Sequence, residues 1–278
     1  MSQTPIEPAG WPTPAYDEVV DRNGIQILKK PGDLAIRNGD LALTRWGDLM
    51  LTDEDYSAFF KLVQEWRFNV PALKVLFESS IGSAQHRKDL ETDLEKLFID
   101  AGQKTPHPMH SLDYDSYHRT NDAMGAAEVA RGVYAGSIAL VLNNMLQSFR
   151  GNIAATLDEW KRADPLFDGH SIGQILEASA NNMRHADEWQ VTRPPTRQQM
   201  KSIEVLSAVL HEPLDPPDGS RHGFSREISP ETLDVISDGN FARLEANLFS
   251  FANNLLQHRQ HRLPSQAPAS APGAASSL

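Results

Sequence analysis

The chain of 278 residues contains no cysteine, so disulfide bonds and thiolate metal sites are excluded, as is typical of proteins from reducing compartments. It also lacks the positive charge that a broad nucleic-acid-binding surface requires, because its formal net charge at pH 7 is −11. A small local basic site remains compatible with this charge. No phosphate-binding loop, GxGxxG motif or GxSxG motif occurs. The sequence therefore carries no motif of a P-loop, Rossmann or α/β-hydrolase enzyme.

Long apolar runs are lacking as well. The longest, around residues 133–146, is interrupted by Asn143 and Asn144 and is shorter than the ~20 residues that a membrane span needs. Residues 1–18 have neither the basic start nor the apolar core of a signal peptide. We therefore expect a cytoplasmic protein with no membrane association, and we interpret the apolar run as a buried helix.

Regular helical periodicity dominates the rest of the chain. Residues 1–22 hold four prolines and are predicted to form a disordered N-terminal arm, whereas 264–278 is a low-complexity, disordered tail. Between them, residues 23–263 are predicted to form a single mainly helical domain. The predicted fold class is mostly α, a helical bundle with a small N-terminal antiparallel β-meander.

The meander is predicted at about residues 25–52. Ile25–Leu28 fits a short strand, and apolar residues alternate with polar ones in the stretch that follows. Asn38-Gly39 supplies the two positive φ angles of a type I′ turn. We expect this sheet to pack on the helices, because an isolated meander is only marginally stable.

The segment 171–190 concentrates the most polar chemistry beside an apolar face. Its apolar stripe has the spacing of a core-facing helix and comprises Ile172, Ile175, Leu176, Ser179, Met183 and Ala186. A polar flank of the same helix carries Glu177, Asn181, His185 and Glu188. Ser171 is the predicted N-cap, and Thr196 with Gln199 predicts a capping box for the next helix.

The stretch Asn181-Asn182-Met183-Arg184-His185 resembles part of the RNxxxH motif of HEPN domains, in which Asn181 and His185 match the asparagine and the histidine. HEPN domains are small helical bundles, and many are ribonucleases of toxin, defence or RNA-processing systems. Ala180 stands where the motif has its arginine, and Arg184 is adjacent to His185. In active members the arginine and the histidine act together on the RNA, so the resemblance implies a related fold more than a related activity.

His185 is the candidate general acid or base, because imidazole exchanges protons near neutral pH. Asn181 and Glu188 complete the candidate catalytic set as orienting groups. A metal site built on Glu177, His185 and Glu188 is disfavoured, because the order here is His-x-x-Glu rather than the Glu-x-x-His of helical di-metal sites. We predict no metal and no other cofactor, and we interpret the histidine-rich segment 103–120 as a polar surface loop.

The final helix repeats part of this pattern. Both 172–189 and 241–258 contain Ala-Asn-Asn followed by a histidine, so we expect His185 to lie in a cleft between the two helices. The candidate binding residues around it are Glu177, Arg184, Asn254 and His258.

Two functional interpretations are open. In one, the protein is a non-catalytic helical protein with a HEPN-like core that binds a protein partner, or forms a homodimer, in a bacterial defence or toxin–antitoxin context. In the other, it is a metal-independent ribonuclease that uses His185 as general acid and base. RNA is a partner only in the second interpretation.

Overall fold

The computed structural model describes residues 11–29, 34–37, 41–44, 54–104, 109, 111–189, 196–214 and 227–262. Eight α-helices account for most of these residues, which confirms the prediction of a mostly α-helical bundle. They are α1 (Tyr16–Arg22), α2 (Glu54–Lys104), α3 (Tyr114–Asn152), α4 (Leu157–Arg162), α5 (Ile172–Trp189), α6 (Arg197–Leu210), α7 (Ser229–Ser237) and α8 (Phe241–Arg262).

The predicted N-terminal β-meander is wrong. The described residues contain two separate antiparallel ribbons, β1 (Leu34–Arg37) with β2 (Leu41–Thr44), and β3 (Leu166–Phe167) with β4 (His170–Ser171). The predicted strand at 25–28 belongs to a 3-10 helix, Gln26–Lys29. Ile25 and Leu28 are both buried there, and their spacing of three residues suits one face of a helical turn. The predicted turn at Asn38-Gly39 lies outside the described residues.

The predicted disordered arm, residues 1–22, includes a folded helix. In α1, the side chains of Tyr16, Val19 and Val20 are buried at the i, i+3, i+4 spacing. Arg22 fixes α1 to α8 by donating from Nη2 to both carboxylate oxygens of Glu245, at 2.8 and 3.0 Å. Residues 1–10 and the predicted tail at 264–278 lie outside the described residues.

Helices α2 and α3 form a long antiparallel hairpin. Three pairs record its register from base to tip: Phe59 with Phe149, Arg87 with Glu128, and Phe98 with Tyr117. With 51 residues, α2 is about 76 Å long at the standard helical rise. It continues through Pro71, where the sequence predicts a new helix, so the proline is accommodated inside one helix.

The middle of α3 is the predicted buried helix. An 18-residue window of α3 has a mean hydropathy of 1.2 and would be long and apolar enough to cross a membrane, but the core helix of a soluble protein meets the same criterion. One face of α3 is in tight contact with its neighbours. A Cβ at Gly132 would lie 2.9 Å from Cγ of Glu227, and one at Gly136 would lie 2.5 Å from Sδ of Met183.

Helix α5 packs against α3, α6 and α7 and carries the predicted polar flank. Its first four stripe residues, Ile172, Ile175, Leu176 and Ser179, are buried as predicted. Ser171 caps it, since its Oγ accepts from N of Gln174 and its N donates to the Gln174 side chain. The capping box of α6 is also present at Thr196 and Gln199. These caps fix where both helices begin.

Candidate functional site

The polar flank of α5 faces a cleft of about 250 Å³ between α5 and α6. The burial of the apolar stripe turns this flank towards the first turns of α6. The lining residues are Asn181, His185, Glu188, Trp189, Thr196, Gln198, Gln199 and Ser202. The three candidate catalytic residues therefore meet at one place, as a polar opening on the surface.

His185 stands where α5 departs from helical geometry, with φ −135° and ψ 16°. Its Nδ1 lies 3.3 Å from Oε1 of Glu188, and Oε2 of Glu188 accepts from Nε2 of Gln199 at 3.4 Å. The side chains of His185 and Glu188 are 45% and 58% exposed. Water therefore competes for both groups, and the contact between them is weak.

The adjacent asparagines of α5, Asn181 and Asn182, form different contacts. Asn181 donates from Nδ2 to Oγ of Ser202 on α6 at 3.1 Å, rather than to His185. Asn182 is fully buried, and its Oδ1 accepts from the backbone N–H of Ile228 at 3.2 Å. Both side chains thus hold neighbouring segments against α5.

The four candidate binding residues do not gather at the cleft. Glu177 accepts from Nε2 of Gln147 on α3 at 3.3 Å, and Arg184 is exposed. Asn254 donates to the carbonyl of Asp164 at 3.0 Å, and His258 is half-buried on α8. None of the four lines the cleft.

The predicted cleft between the key helix and the final helix is wrong for a geometric reason. Helix α8 contacts α5 near the N-terminus of α5, where Phe251 of α8 packs beside Gly173. His185 lies at the opposite end of α5, three turns away. The two Ala-Asn-Asn triplets consequently lie at different depths, and α6 rather than α8 provides the second wall.

The described lining of the cleft carries few charged groups. Glu188 is the one Asp, Glu, Lys or Arg among its described lining residues. Ala180 is fully buried, so a side chain at the position of the HEPN arginine points into the core. Among the described residues, no group of three or more His, Asp or Glu side chains is arranged to hold a metal ion.

A second surface was missed by the sequence reasoning. A groove of about 470 Å³ runs between α2 and α3, hereafter the α2/α3 groove, lined by Ser79, Gly82, Ser83, His86, Ala123, Ala126, Ala127, Ala130 and Tyr134. The signal was the run of small residues at spacings of three and four. Small residues do not by themselves show which helix face is covered, so the sequence does not distinguish such a groove from core packing.

The chain matches no family model, no curated protein and no solved structure. The fold and the surfaces described above define only a general class of protein, namely a helical bundle with a long hairpin and a small polar cleft.

Proposed function

We propose that this protein is non-catalytic and acts by binding another protein through the α2/α3 hairpin. The carrying observation is the distribution of exposed apolar side chains. Most of the large hydrophobic residues exposed in the described chain lie on these two helices: Phe68, Val75, Ile81, Phe98, Ile99, Tyr114, Val129 and Val133. Exposed apolar side chains along a helical hairpin provide contact surface that a protein partner buries.

The distal part of the hairpin supports the proposal. From Ile81 to Gln103 of α2, Ala101 is the one buried residue, and no residue from Tyr114 to Ala126 of α3 is buried. Two helices alone cannot cover their shared apolar face, which needs a further layer for full burial. A protein partner laid on the hairpin supplies that layer.

The cellular setting forms part of the same proposal. We propose a cytoplasmic protein with a HEPN-like core that works in bacterial defence or toxin–antitoxin systems. The helical bundle and the presence of Asn181 and His185 on one helix support this relation. The described lining of the cleft holds no Lys or Arg, which supports a role without ribonuclease activity.

A metal-independent ribonuclease is the second candidate. It is favoured by one observation, the pairing of His185 with Glu188 at the edge of an open cleft. Incubation of the purified chain with labelled RNA in the presence of a chelator tests it. Cleavage that His185→Ala abolishes would replace the binding proposal by this one.

Partner binding is tested by quantitative mass spectrometry of proteins that copurify with the tagged full-length chain. Gly82→Gln fills the α2/α3 groove, and Gly125→Gln is the matched control on the exposed surface of α3. A Cβ at either glycine meets no atom within 4 Å, so a side chain can begin at both positions without displacing a neighbour. We expect Gly82→Gln alone to lose the partner. An unchanged set of copurifying proteins would contradict the proposal.

A further inference from the structure

We infer that the α2/α3 groove receives a basic amphipathic helix of another protein, one with a narrow face of small apolar residues flanked by Lys or Arg. This inference rests on the proposed function and names the chemistry of the partner. Shape and charge of the groove support it separately.

Two faces of α3 carry small residues and differ in what covers them. On one face, Gly132 and Gly136 admit the side chains of Glu227 and Met183 into close contact. Another face presents small residues at spacings of three and four, Ala123, Ala126 and Ala130, and these line an open groove. The lining from Ala123 to Tyr134 extends about 16 Å along α3, which equals three turns of a docked helix.

Small side chains on both walls allow a third helix to approach closely. Gly82 contributes no side chain, and a Cβ there would meet no atom within 4 Å. Because interaxial distance depends on the side chains at the contact, this part of the groove admits a close helix crossing. The exposed side chains of Val129 and Val133, 69% and 46% accessible, stand beside the groove on α3 as further apolar contact surface.

Acidic side chains lie along the rim of the groove. Glu78, Asp89 and Asp122 each lie one helical turn from a lining residue, namely Gly82, His86 and Ala126 respectively. Glu78 and Asp122 have no ion-pair partner among the described residues. The uncompensated rim charge is therefore negative.

Nearby basic side chains are already engaged. Arg87 pairs with Glu91 at 3.0 Å and with Glu128 at 3.3 Å, and Arg131 pairs with Asp234 at 3.0 Å. Arg119, one turn from Ala123, donates to the carbonyl of Asp115 and to Oγ of Ser116, so the three rim acids outnumber the one basic side chain that forms no ion pair within the described chain. An acidic rim attracts a basic helix and repels a second copy of this chain, whose groove carries the same acids. A heterologous basic partner consequently fits better than a homodimer through this groove.

The test uses two synthetic helical peptides with the same alanine-rich face, one flanked by lysines and one by glutamates, and measures binding to the full-length chain by fluorescence anisotropy. We expect the lysine peptide to bind at least about tenfold more tightly, with an affinity that falls as salt rises. Gly82→Gln should abolish this binding, and Gly125→Gln should leave it unchanged. Circular dichroism of each variant verifies that the fold is retained.

The double variant Glu78→Gln, Asp122→Gln isolates the charge contribution, and it should reduce the affinity for the lysine peptide several-fold. Equal binding of both peptides, binding that survives Gly82→Gln, or no binding of either peptide would overturn the inference. So would a dimer in light scattering that Gly82→Gln dissociates. If Gly82→Gln removes the copurifying partner while the double variant retains it, the charge inference fails and protein binding stands. If Gly82→Gln retains the partner, the proposed function itself fails.

Discussion

His185 forms an exposed contact from its Nδ1 to Oε1 of Glu188 at 3.3 Å. Exposed ion pairs contribute little to folding, because water and salt screen them. We predict that His185→Ala changes the free energy of unfolding by less than about 0.5 kcal/mol. Urea denaturation followed by circular dichroism measures this change.

Asn182→Ala is the control for that measurement. It removes the acceptor of the buried Ile228 N–H, and an unpaired buried donor costs about 1–3 kcal/mol. A loss of similar size for His185→Ala would show that the histidine is structural and would contradict the prediction.

Glu227 gives stability a pH dependence of known sign. Burial raises the pKa of Glu227, and the nearby Glu231 carboxylate also raises it, whereas hydrogen bonds from Ser229 lower it. The folded pKa thus lies above the unfolded one. The burial penalty is absent below the unfolded pKa and grows as pH rises through the folded pKa, so this group contributes less stability at neutral pH.

Glu227→Gln removes that penalty. We predict that the variant is more stable than the wild type at neutral pH, and that the difference vanishes below about pH 4, where the carboxyl is protonated in both states. Urea unfolding from mildly acidic to neutral pH measures the difference. A stability difference that stays constant with pH would show that Glu227 titrates normally, despite its contact with Gly132 and despite Arg131, Glu231 and Asp234 nearby.

At the scale of the helices, the sequence predicts a helix correctly where an apolar stripe of helical spacing follows an N-capping residue. The apolar stripe of α5 and the caps at Ser171 and Thr196 were predicted from the sequence and are present. Helix α1 was missed because the prolines before it suggested an extended arm. It is held by contacts with distant segments, Tyr16 against Phe60 of α2 and Arg22 with Glu245 of α8, which local sequence patterns do not reveal.

The helix that faces the polar flank of α5 was harder to predict than the residues of the flank. Asn181, His185 and Glu188 share one flank of α5 by helical spacing alone. Which helix faces that flank depends on where α5 and α8 cross, and the crossing is set by the close approach of Gly173 to Phe251. No residue of the polar flank carries that information, so the pairing with Asn254 and His258 was wrong.

Gly173 is a position where a methyl group disrupts the packing of helices. An added Cβ would lie 2.5 Å from two ring carbons of Trp160 and 2.8 Å from the ring of Phe251, and both rings are buried. We predict that Gly173→Ala destabilises the fold by about 1–3 kcal/mol, because neither ring has space to move. Chemical denaturation measures the loss.

Gly125→Ala is its control, because a Cβ there meets no atom within 4 Å. This substitution should stabilise the helix by up to about 1 kcal/mol through helix propensity. Equal effects of the two substitutions would show that the close approach at Gly173 does not limit packing.

On the scale of the whole molecule, the α2/α3 hairpin has a buried base and an exposed tip, and this difference does not follow from the residue composition of the two parts. At the base of the hairpin, Trp66 stacks on Phe241 and packs edge-on against Phe249, so α8 covers α2. Towards the tip, Phe98 and Tyr117 contact each other across the hairpin while Phe98 stays exposed. The sequence predicted a buried α3 but not the open groove, because coverage of a helix face depends on the packing of distant segments.

This division predicts two levels of local stability. Hydrogen bonds of a helix open locally when few buried side chains hold the helix in place. We predict that backbone amides of residues 84–103 and 114–126 exchange with deuterium much faster than those of 56–77 and 135–149, as measured by hydrogen-exchange mass spectrometry. Adding the lysine-flanked peptide should slow exchange around the α2/α3 groove in the wild type and not in Gly82→Gln. Uniform protection along both helices of the free chain would mean that two helices suffice to stabilise the hairpin, and the physical reason for a partner would be lost.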